Sequence, residues 1–288
     1  MLRLRLLGSL AVESQSRPAA PALIQKPKRF ALLSYLAVRL PQGPHRRDTL
    51  IALLWPEFNQ RRARAALNRT LYDLRRELGE GVLVSLGNEE VGLAPERVWC
   101  DVVAFEEALA AGDWVGALDL YRGELMPGFF LSGTPEFERW LDLERARLRD
   151  RALRAALEQA ETSSDPIRWL RRAREIEPDD ERVVRRLLSA LAESGDRAGA
   201  LREYEAFARR LVEDFGAEPS PETRDLVEAI RKRSVAASGA PAAGSRGGAD
   251  SAAGGASGTT GEPGAGGTPS AASPSGAAPD AGRQATGD

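Results

Sequence analysis

The residue types with the clearest chemistry are arginines concentrated in one stretch of the chain. Six arginines lie between Arg61 and Arg76, and one aspartate, Asp73, stands among them. A guanidinium is permanently charged and presents its N–H donors as a planar fork, which fits phosphate oxygens and the acceptor edge of guanine. The stretch therefore predicts binding of a polyanion.

Residues 61–78 have the periodicity of an amphipathic helix, and Gly79 stands where such a helix would end. On a helical wheel the mostly apolar residues cluster within about 60° of Leu67. They predict the packed face, which comprises Ala63, Leu67, Thr70, Leu71, Leu74 and Leu78. The opposite face and its flanks carry Arg61, Arg62, Arg64, Ala65, Asn68, Arg69, Tyr72, Arg75 and Arg76.

A helix with this outward face fits the major groove of DNA, where arginine suits guanine, asparagine suits adenine, and Ala65 leaves room for close approach. The residues predicted to face the groove are Arg61, Arg62, Ala65, Asn68, Arg69 and Tyr72. Phosphate contacts are expected from Lys26, Lys28, Arg29, Arg46, Arg47, Arg64, Arg75 and Arg76. The alternative is a solvated surface whose arginines pair with Asp73, Glu77 or Glu57, and each phosphate candidate could equally be a solubilising charge.

Short strands and two further helices are predicted to support this helix. Alternation of leucine and arginine at the start of the chain, followed by two short apolar runs, predicts a small antiparallel sheet from residues 2–6, 10–12 and 23–24. Pro27 suits the first turn of a helix that runs to near Pro41. Asp48 is expected to cap a second helix that ends at Trp55.

A hairpin is predicted directly after the arginine-rich helix, over residues 82–93, with Gly87 and Asn88 as a two-residue turn. Three helices, a small sheet and this hairpin predict a winged helix-turn-helix. Glu89 and Glu90 place two carboxylates where the wing would approach phosphates. Minor-groove reading by this hairpin is therefore expected to be poor.

From residue 99 onward the pattern changes to amphipathic helices, and the segment at residues 112–121 returns in similar form at residues 195–204. This repeat predicts tetratricopeptide-like stacking of helices, with Gly–Asp pairs in the turns and Ala117 and Ala200 at close helix crossings. We therefore expect a mainly α fold. Four tryptophans are interpreted as packing residues, with a ligand cage as the alternative, and they are Trp99, Trp114, Trp140 and Trp169.

Charge is divided unevenly along the chain. Residues 1–97 carry 16 Lys and Arg against 9 Asp and Glu, residues 98–234 carry 22 against 29, and the whole chain has a net charge of −2. A basic module beside an acidic one indicates that the first faces a polyanion, and charge scatter without function is the alternative. The predicted domains are a winged helix-turn-helix at 1–97, a helical domain at 98–233 and a disordered tail rich in Gly, Ala, Ser and Pro at 234–288.

The sequence gives no support for catalysis, metal binding or membrane insertion. It has one cysteine, Cys100, and one histidine, His45, and no glycine-rich phosphate loop with its lysine. We therefore expect no catalytic residue, metal site or cofactor, and we do not expect an enzyme. Because no stretch approaches the ~20 apolar residues of a membrane span and the start lacks the apolar run of a signal peptide, we expect a cytoplasmic protein without a membrane partner.

Several motifs, taken in their order along the chain, resemble those of SARP-type transcriptional regulators, a family named for antibiotic regulatory proteins. In the first part they are Leu6-Leu7-Gly8, Leu54-Trp55-Pro56 and Leu74-Arg75-Arg76-Glu77-Leu78. The second part resembles the bacterial transcriptional activator domain more densely, through Trp99-Cys100-Asp101-Val102, residues 120–129, Trp140-Leu141 and Glu218-Pro219-Ser220-Pro221-Glu222-Thr223. The resemblance covers about residues 1–233.

This resemblance implies that the third helix reads direct repeats in promoter DNA. It also implies that the helical domain supports self-association and contacts the transcription machinery, either RNA polymerase or a sigma factor. We therefore expect a sequence-specific DNA-binding regulator, an activator, with two copies on tandem half-sites. The departures from the family are the acidic hairpin and a tail in place of the ATPase or sensor modules of some relatives. The alternatives are a tetratricopeptide-type adaptor that does not bind DNA and a fragment of a signalling enzyme.

Overall fold

Six short strands and ten α-helices are present in residues 1–14 and 20–238, the part of the chain that this computed structural model describes. The strands are β1 (Leu2–Arg5), β2 (Ala11–Ser14), β3 (His45–Arg46), β4 (Leu83–Leu86), β5 (Glu90–Leu93) and β6 (Val98–Cys100). The helices of the first half are α1 (Pro27–Val38), α2 (Arg47–Leu54) and α3 (Gln60–Leu78). Those of the second half are α4 (Asp101–Ala110), α5 (Trp114–Leu120), α6 (Pro135–Thr162), α7 (Pro166–Ile176), α8 (Glu181–Glu193), α9 (Arg197–Phe215) and α10 (Pro221–Ser238).

The N-terminal sheet has the strand order β2-β1-β6. Leu2 and Leu4 of β1 are buried, as the alternation predicted, and β1 pairs antiparallel with β2 and parallel with β6. The predicted third strand at residues 23–24 is wrong, because this segment lies in the 3₁₀ helix Ala20–Gln25. There the Lys26 N–H donates to the Leu23 carbonyl at 2.9 Å, so this backbone is satisfied by a local turn and does not pair with a strand. The third strand instead comes from residues almost a hundred positions away along the chain.

The hairpin and α2 are organised by a strand that the sequence did not indicate. β3 pairs with the outer edge of β5, giving the order β3-β5-β4. Because β3 holds the chain extended up to Arg46, α2 begins directly at Arg47, and Arg46 occupies the cap position without a side-chain capping bond. The predicted cap at Asp48 is therefore wrong, since Asp48 lies within the first turn.

The predicted hairpin is present, but its connection is longer than expected. Leu86 pairs with Glu90, which leaves residues 87–89 as the loop, so the predicted two-residue turn is wrong. The carbonyl of Glu89 accepts the backbone N–H of Arg47 at 2.8 Å. The third loop residue therefore connects the hairpin to the start of α2.

The second half is built from successive packed helices, in which α6 packs on α7, α7 on α8, and α8 on α9. The repeated segment behaves as predicted in its turns. The carboxylate of Asp113 accepts the N–H of Gly116 at 2.9 Å, and that of Asp196 accepts the N–H of Gly199 at 2.8 Å. A Cβ at either of these glycines would collide with the capping carboxylate, which explains why both repeats have glycine there. Ala117 and Ala200 are buried, as expected for close helix crossings.

The segment at residues 218–223, which matches a motif named above, is hydrogen-bonded to the start of α8. The carboxylate of Glu181 on α8 accepts hydrogen bonds from the backbone N–H of Ser220 at 3.0 Å and from the hydroxyls of Ser220 and Thr223, both at 2.5 Å. This cluster joins the start of α8 to the start of α10. α10 continues to Ser238, beyond the predicted domain end at Arg233, and the rest of the predicted disordered tail, 239–288, lies outside the described residues.

The two halves share direct contacts, and residues Met1–Ala240 form one compact unit. The buried carboxylate of Asp101 at the start of α4 accepts the backbone N–H groups of Leu6 at 2.8 Å and Leu7 at 2.9 Å, and burial raises its pKa. The loop after α5 adds a hydrogen bond from the Met126 N–H to the Leu6 carbonyl at 2.7 Å. Aromatic side chains of α1 also contact the second half, with Phe30 against Phe129 at 5.4 Å between ring centroids.

The tryptophans have the packing role that was predicted for them. Trp169 is buried, and Trp114 and Trp140 are half-buried against the core. Trp99 is also half-buried, and the guanidinium of Arg3 lies 5.1 Å from the centre of its ring.

Candidate nucleic-acid interface

Helix α3 has the two faces that the helical wheel predicted. Asn59 precedes it and accepts the backbone N–H of Arg62 at 3.0 Å, and Gly79 ends it with a φ of 97°. The predicted packed face is buried at every position, namely Ala63, Leu67, Thr70, Leu71, Leu74 and Leu78. This face rests on α1, α2 and β4.

The opposite face of α3 is open to solvent. The side chain of Arg69 is 79% exposed, and Tyr72 is 61% exposed although it is a large aromatic residue. Of the residues predicted to face outward, Arg75 is half-buried and the others are exposed, namely Arg61, Arg62, Arg64, Ala65, Asn68, Arg69, Tyr72 and Arg76. These outward residues of α3, which include the predicted major-groove set, therefore lie together on one accessible surface, which we call the α3 face.

Only part of the positive charge on the α3 face is matched by the protein itself. Arg64 lies 3.4 Å from the exposed carboxylate of Asp48, Nε of Arg69 lies 3.3 Å from the buried carboxylate of Asp73, and Arg75 donates to the hydroxyl of Ser85 at 2.9 Å. Within the described residues, no ion pair involves Arg61, Arg62 or Arg76. Exposed ion pairs contribute little and exchange easily. Three of the six arginines of α3 therefore have no carboxylate or hydroxyl partner among the described residues, and Arg64 can exchange its exposed partner for an outside anion.

The carboxylates that might have neutralised the α3 face are mostly engaged elsewhere. Glu77 accepts from Lys26 at 2.5 Å and from Arg29 at 2.8 Å, and Glu57 accepts from Lys28 at 2.6 Å. All three cations belong to the start of α1 or the residue before it. The contacts of Lys26 and Arg29 with Glu77 hold α1 against α3. Each of the three cations proposed for phosphate contacts here therefore already has a carboxylate partner.

The side-chain amide of Asn68, a predicted base contact, is hydrogen-bonded to Arg47. Its side-chain oxygen accepts a hydrogen bond from Nη1 of Arg47 at 2.8 Å. Bidentate recognition of adenine uses both the oxygen and the NH₂ group of asparagine. The amide oxygen has a second lone pair, so Arg47 can orient the Asn68 side chain while that oxygen accepts from a base. Burial and the nearby charge of Arg75 lower the pKa of Arg47, which places two cations close together at this edge of the α3 face.

A polar cleft of about 430 Å³ opens where the start of α2, the middle of α3 and the hairpin loop meet. Its lining includes Arg46, Arg47, Arg64 and Asn68, together with the carboxylates of Asp48 and Glu89. Glu89 is strongly exposed and lies 3.7 Å from Arg46. The cleft therefore combines three guanidiniums, the start of a helix and an acidic loop that partly offsets them.

Sequence reasoning missed three features of this surface. It did not find β3, which sets the angle between α2 and the hairpin. It also missed the contact between Arg47 and Asn68, which joins residues distant in sequence. Phe58, whose ring lies 5.4 Å from the guanidinium of Arg62, had no signal beyond its position before α3. The pairing of an arginine with Asp73, which the solvated-surface alternative included, is present between Arg69 and Asp73, one turn apart on the same helix.

The chain is similar to known regulatory proteins. Residues 100–231 match the family model of the bacterial transcriptional activator domain. Regulatory protein AfsR of Streptomyces coelicolor is 30% identical over 232 residues, which cover 75% of this chain and 23% of that protein. The chain thus spans less than a quarter of the length of this curated relative. The resemblance to SARP-type regulators is confirmed by these two comparisons.

A solved structure is also similar to this chain. It is described as Mycobacterium tuberculosis EmbR in complex with low affinity phosphopeptide, and it is 24% identical. The alignment covers 81% of this chain and 65% of that chain, with a TM-score of 0.47. Separately, among the helices that the structure describes, none is both long enough and apolar enough to cross a membrane.

Proposed function

We propose that this chain, whose residues 100–231 form a bacterial transcriptional activator domain as in SARP-type regulators, is a DNA-binding transcriptional activator that reads promoter sequence through α3. One observation carries the proposal. The α3 face exposes its arginines, Asn68 and Tyr72, while every apolar residue predicted to anchor the helix is buried. An adaptor that only bound proteins would not need so basic an exposed helix beside a hairpin.

In this proposal α3 enters the major groove, which is wide enough to admit one helix. Arg61, Arg62 and Arg69 offer guanidinium forks to guanine edges. The methyl side chain of Ala65 lets the helix approach the bases closely. Asn68 and Tyr72 complete the contact surface, with the Asn68 amide oriented by its hydrogen bond from Arg47.

The phosphate contacts are proposed to lie mainly around the cleft at the start of α2. Arg46, Arg47 and Arg64 line it, and the positive end of the α2 dipole adds to their field. Arg75 and Arg76 extend this basic edge along α3. Lys28 can exchange the exposed carboxylate of Glu57 for a phosphate at little cost. The same exchange is harder for Lys26 and Arg29, because their carboxylate partners are more deeply buried.

The helical second half is proposed to contact RNA polymerase or a sigma factor and to support binding of two copies to direct repeats. The support for this part is the family match of residues 100–231. Two copies on tandem half-sites would place their α3 helices about one helical turn, or 10 to 11 base pairs, apart on the same side of the duplex.

The test is a selection of genomic DNA fragments by the purified full chain, followed by titration of a selected fragment against a shuffled sequence of equal length. We expect the selected fragment to bind at least about 10³-fold more tightly at physiological salt. Arg62→Ala should weaken binding to the selected fragment. Arg202→Ala, an exposed arginine on α9, is the matched control and should not weaken it. Equal affinity for selected and shuffled DNA would contradict the proposal.

A further inference from the structure

We propose that Asp73 is a positioning residue, whose buried carboxylate holds the guanidinium of Arg69 by its Nε so that the two terminal nitrogens face a guanine. The inference rests on the proposed DNA binding and assigns different roles to two residues of α3, with Arg69 contacting a base and Asp73 positioning Arg69. Asp73 itself does not touch DNA, but it is the origin of the discrimination that Arg69 shows at one base pair.

The two side chains differ sharply in exposure although they are in contact. The Asp73 side chain is 2% exposed and that of Arg69 is 79% exposed, and Nε of Arg69 lies 3.3 Å from Oδ2 of Asp73. The residues are four positions apart, so they lie one above the other on the helix. The contact therefore links the interior of the domain to its outermost face.

Asp73 is fixed from the inner side as well. Nη2 of Arg29 on α1 donates to the same oxygen, and Nη1 of Arg29 donates to Glu77. A buried carboxylate that is also held by a half-buried arginine follows the motions of an exposed side chain less than an exposed carboxylate would. Asp73 is thus a rigid anchor, whereas an ordinary exposed ion pair joins two mobile ends.

Because Asp73 engages Nε of Arg69, it determines which donors of Arg69 remain free for a base. Arginine has one Nε donor and four donors on its terminal nitrogens. With Nε engaged by Asp73, the terminal nitrogens remain as a pair of parallel donors, which matches O6 and N7 of guanine. A fork that is oriented before binding loses less conformational freedom on contact.

The other arginines predicted to read bases have no such support. Within the described part of the chain, Arg61 and Arg62 have no carboxylate partner, and Arg62 lies over the ring of Phe58 instead. They can adapt to several positions on the DNA, whereas Arg69 is held in one. Arg69 should therefore discriminate most strongly among the bases.

The experiment uses the full chain and a selected DNA fragment in which each base pair of the site is changed in turn, with affinity measured by fluorescence anisotropy. Arg69→Ala should abolish discrimination at one guanine position. Asp73→Asn should reduce discrimination at that same position by about tenfold and leave the other positions unchanged. Adding Asp73→Asn to Arg69→Ala should cause no further loss of discrimination.

If Asp73 only stabilised the fold, its substitution would lower thermal stability without a selective loss of discrimination at one base pair. Arg29→Ala removes the inner partner of Asp73 but keeps the carboxylate beside Arg69, so it should lower thermal stability and cost less discrimination at that position than Asp73→Asn does. If Asp73→Asn does not fold, the double variant Arg29→Ala with Asp73→Asn removes both members of the buried pair together, and it should show the same loss at one position.

The outcomes separate this inference from the proposed function. If the wild type does not distinguish selected from shuffled DNA, the proposed function fails and the inference fails with it. If the wild type discriminates and the folded Asp73→Asn variant has the same base profile, only the inference is overturned. A uniform loss of affinity at every position would also overturn it, because that pattern belongs to a phosphate contact or a general destabilisation.

Discussion

Tyr35 on α1 and Trp140 on α6 pack edge to face, with their ring centroids 4.8 Å apart. Tyr35 also contacts the ring of His45 at 5.3 Å, and Trp140 contacts Phe137 at 5.3 Å. These rings join the half that carries α3 to the half that matches the activator domain. The two halves therefore pack together through a shared group of aromatic rings.

Trp140→Ala should lower the free energy of unfolding by about 3 kcal/mol, because it removes a half-buried ring and its contacts with Tyr35 and Phe137. Urea unfolding followed by far-UV circular dichroism measures the change. Leu143→Ala is the control, since Leu143 is a large residue of the same helix that is 65% exposed, and its effect should stay within about 0.5 kcal/mol. Equal effects for the two variants would show that the contact of Trp140 with Tyr35 and Phe137 does not stabilise the fold.

Binding to a selected DNA fragment should weaken steeply with salt. With roughly four to six phosphates neutralised, the logarithm of affinity should fall with the logarithm of salt concentration at a slope of about −4 to −5. Removing Arg46 and Arg64 together should flatten the slope by about two, since each cation lining the cleft is proposed to displace one counterion. A slope that does not change in this double variant would remove these two arginines from the phosphate contacts, and Arg202→Ala is again the neutral comparison.

Spacing between half-sites should matter if two copies bind in tandem. Half-sites 10 to 11 base pairs apart in the same orientation place two α3 helices on one side of the DNA. Inserting about five base pairs, half a helical turn, should abolish cooperative binding without changing the affinity of a single half-site. Gel-shift titrations on both DNA molecules measure this, and an inverted repeat that binds as well as the direct repeat would contradict tandem binding.

The hydrogen bonds at Glu181 should make stability depend on pH in acid. Burial opposes ionisation of Glu181, but hydrogen bonds from Ser220 and Thr223 outweigh it and lower the pKa of this carboxyl below its ordinary value of 4.5. A lowered pKa means that the stabilisation is present above that ordinary value and is lost as the pH falls through the folded-state pKa. Glu181→Gln should therefore cost about 2 kcal/mol at pH 7, and the difference from the wild type should shrink below pH ~4.5.

Thermal or urea unfolding over a pH series measures that difference. Glu222→Gln on the exposed side of α10 serves as the matched carboxyl-to-amide control and should be nearly silent at every pH. If the cost of Glu181→Gln were the same at pH 3 and pH 7, the ionised form of Glu181 would not be the source of the stabilisation.

What the sequence could predict was local periodicity. The faces of α3 follow from leucines and arginines that repeat with the helical period, and the buried residues are those the wheel indicated. The turns at Asp113 and Asp196 follow from a capping residue and a glycine at fixed spacing. Features of this kind are decided by residues a few positions apart, so one sequence is sufficient to predict them.

What the sequence could not predict was pairing between distant segments. β3 is two residues long, and nothing in His45 and Arg46 indicates that they pair with β5. Next to that pairing, the Glu89 carbonyl accepts the N–H of Arg47, and Glu89 lies in a three-residue loop where a two-residue turn was expected. The contact of Arg47 with Asn68 has the same character, since it depends on how α2 and α3 cross and not on either helix alone.

The parallel pairing of β1 with β6 also constrains how the protein is made. The strand at the very start of the chain finds its second neighbour only when residues 98–100 have left the ribosome, and Asp101 then supplies acceptors for the N–H groups of Leu6 and Leu7. The winged half cannot complete its sheet until synthesis has entered the activator half. A polypeptide released at Arg97 would lack that strand and the Asp101 carboxylate, so the first half cannot complete its sheet by itself.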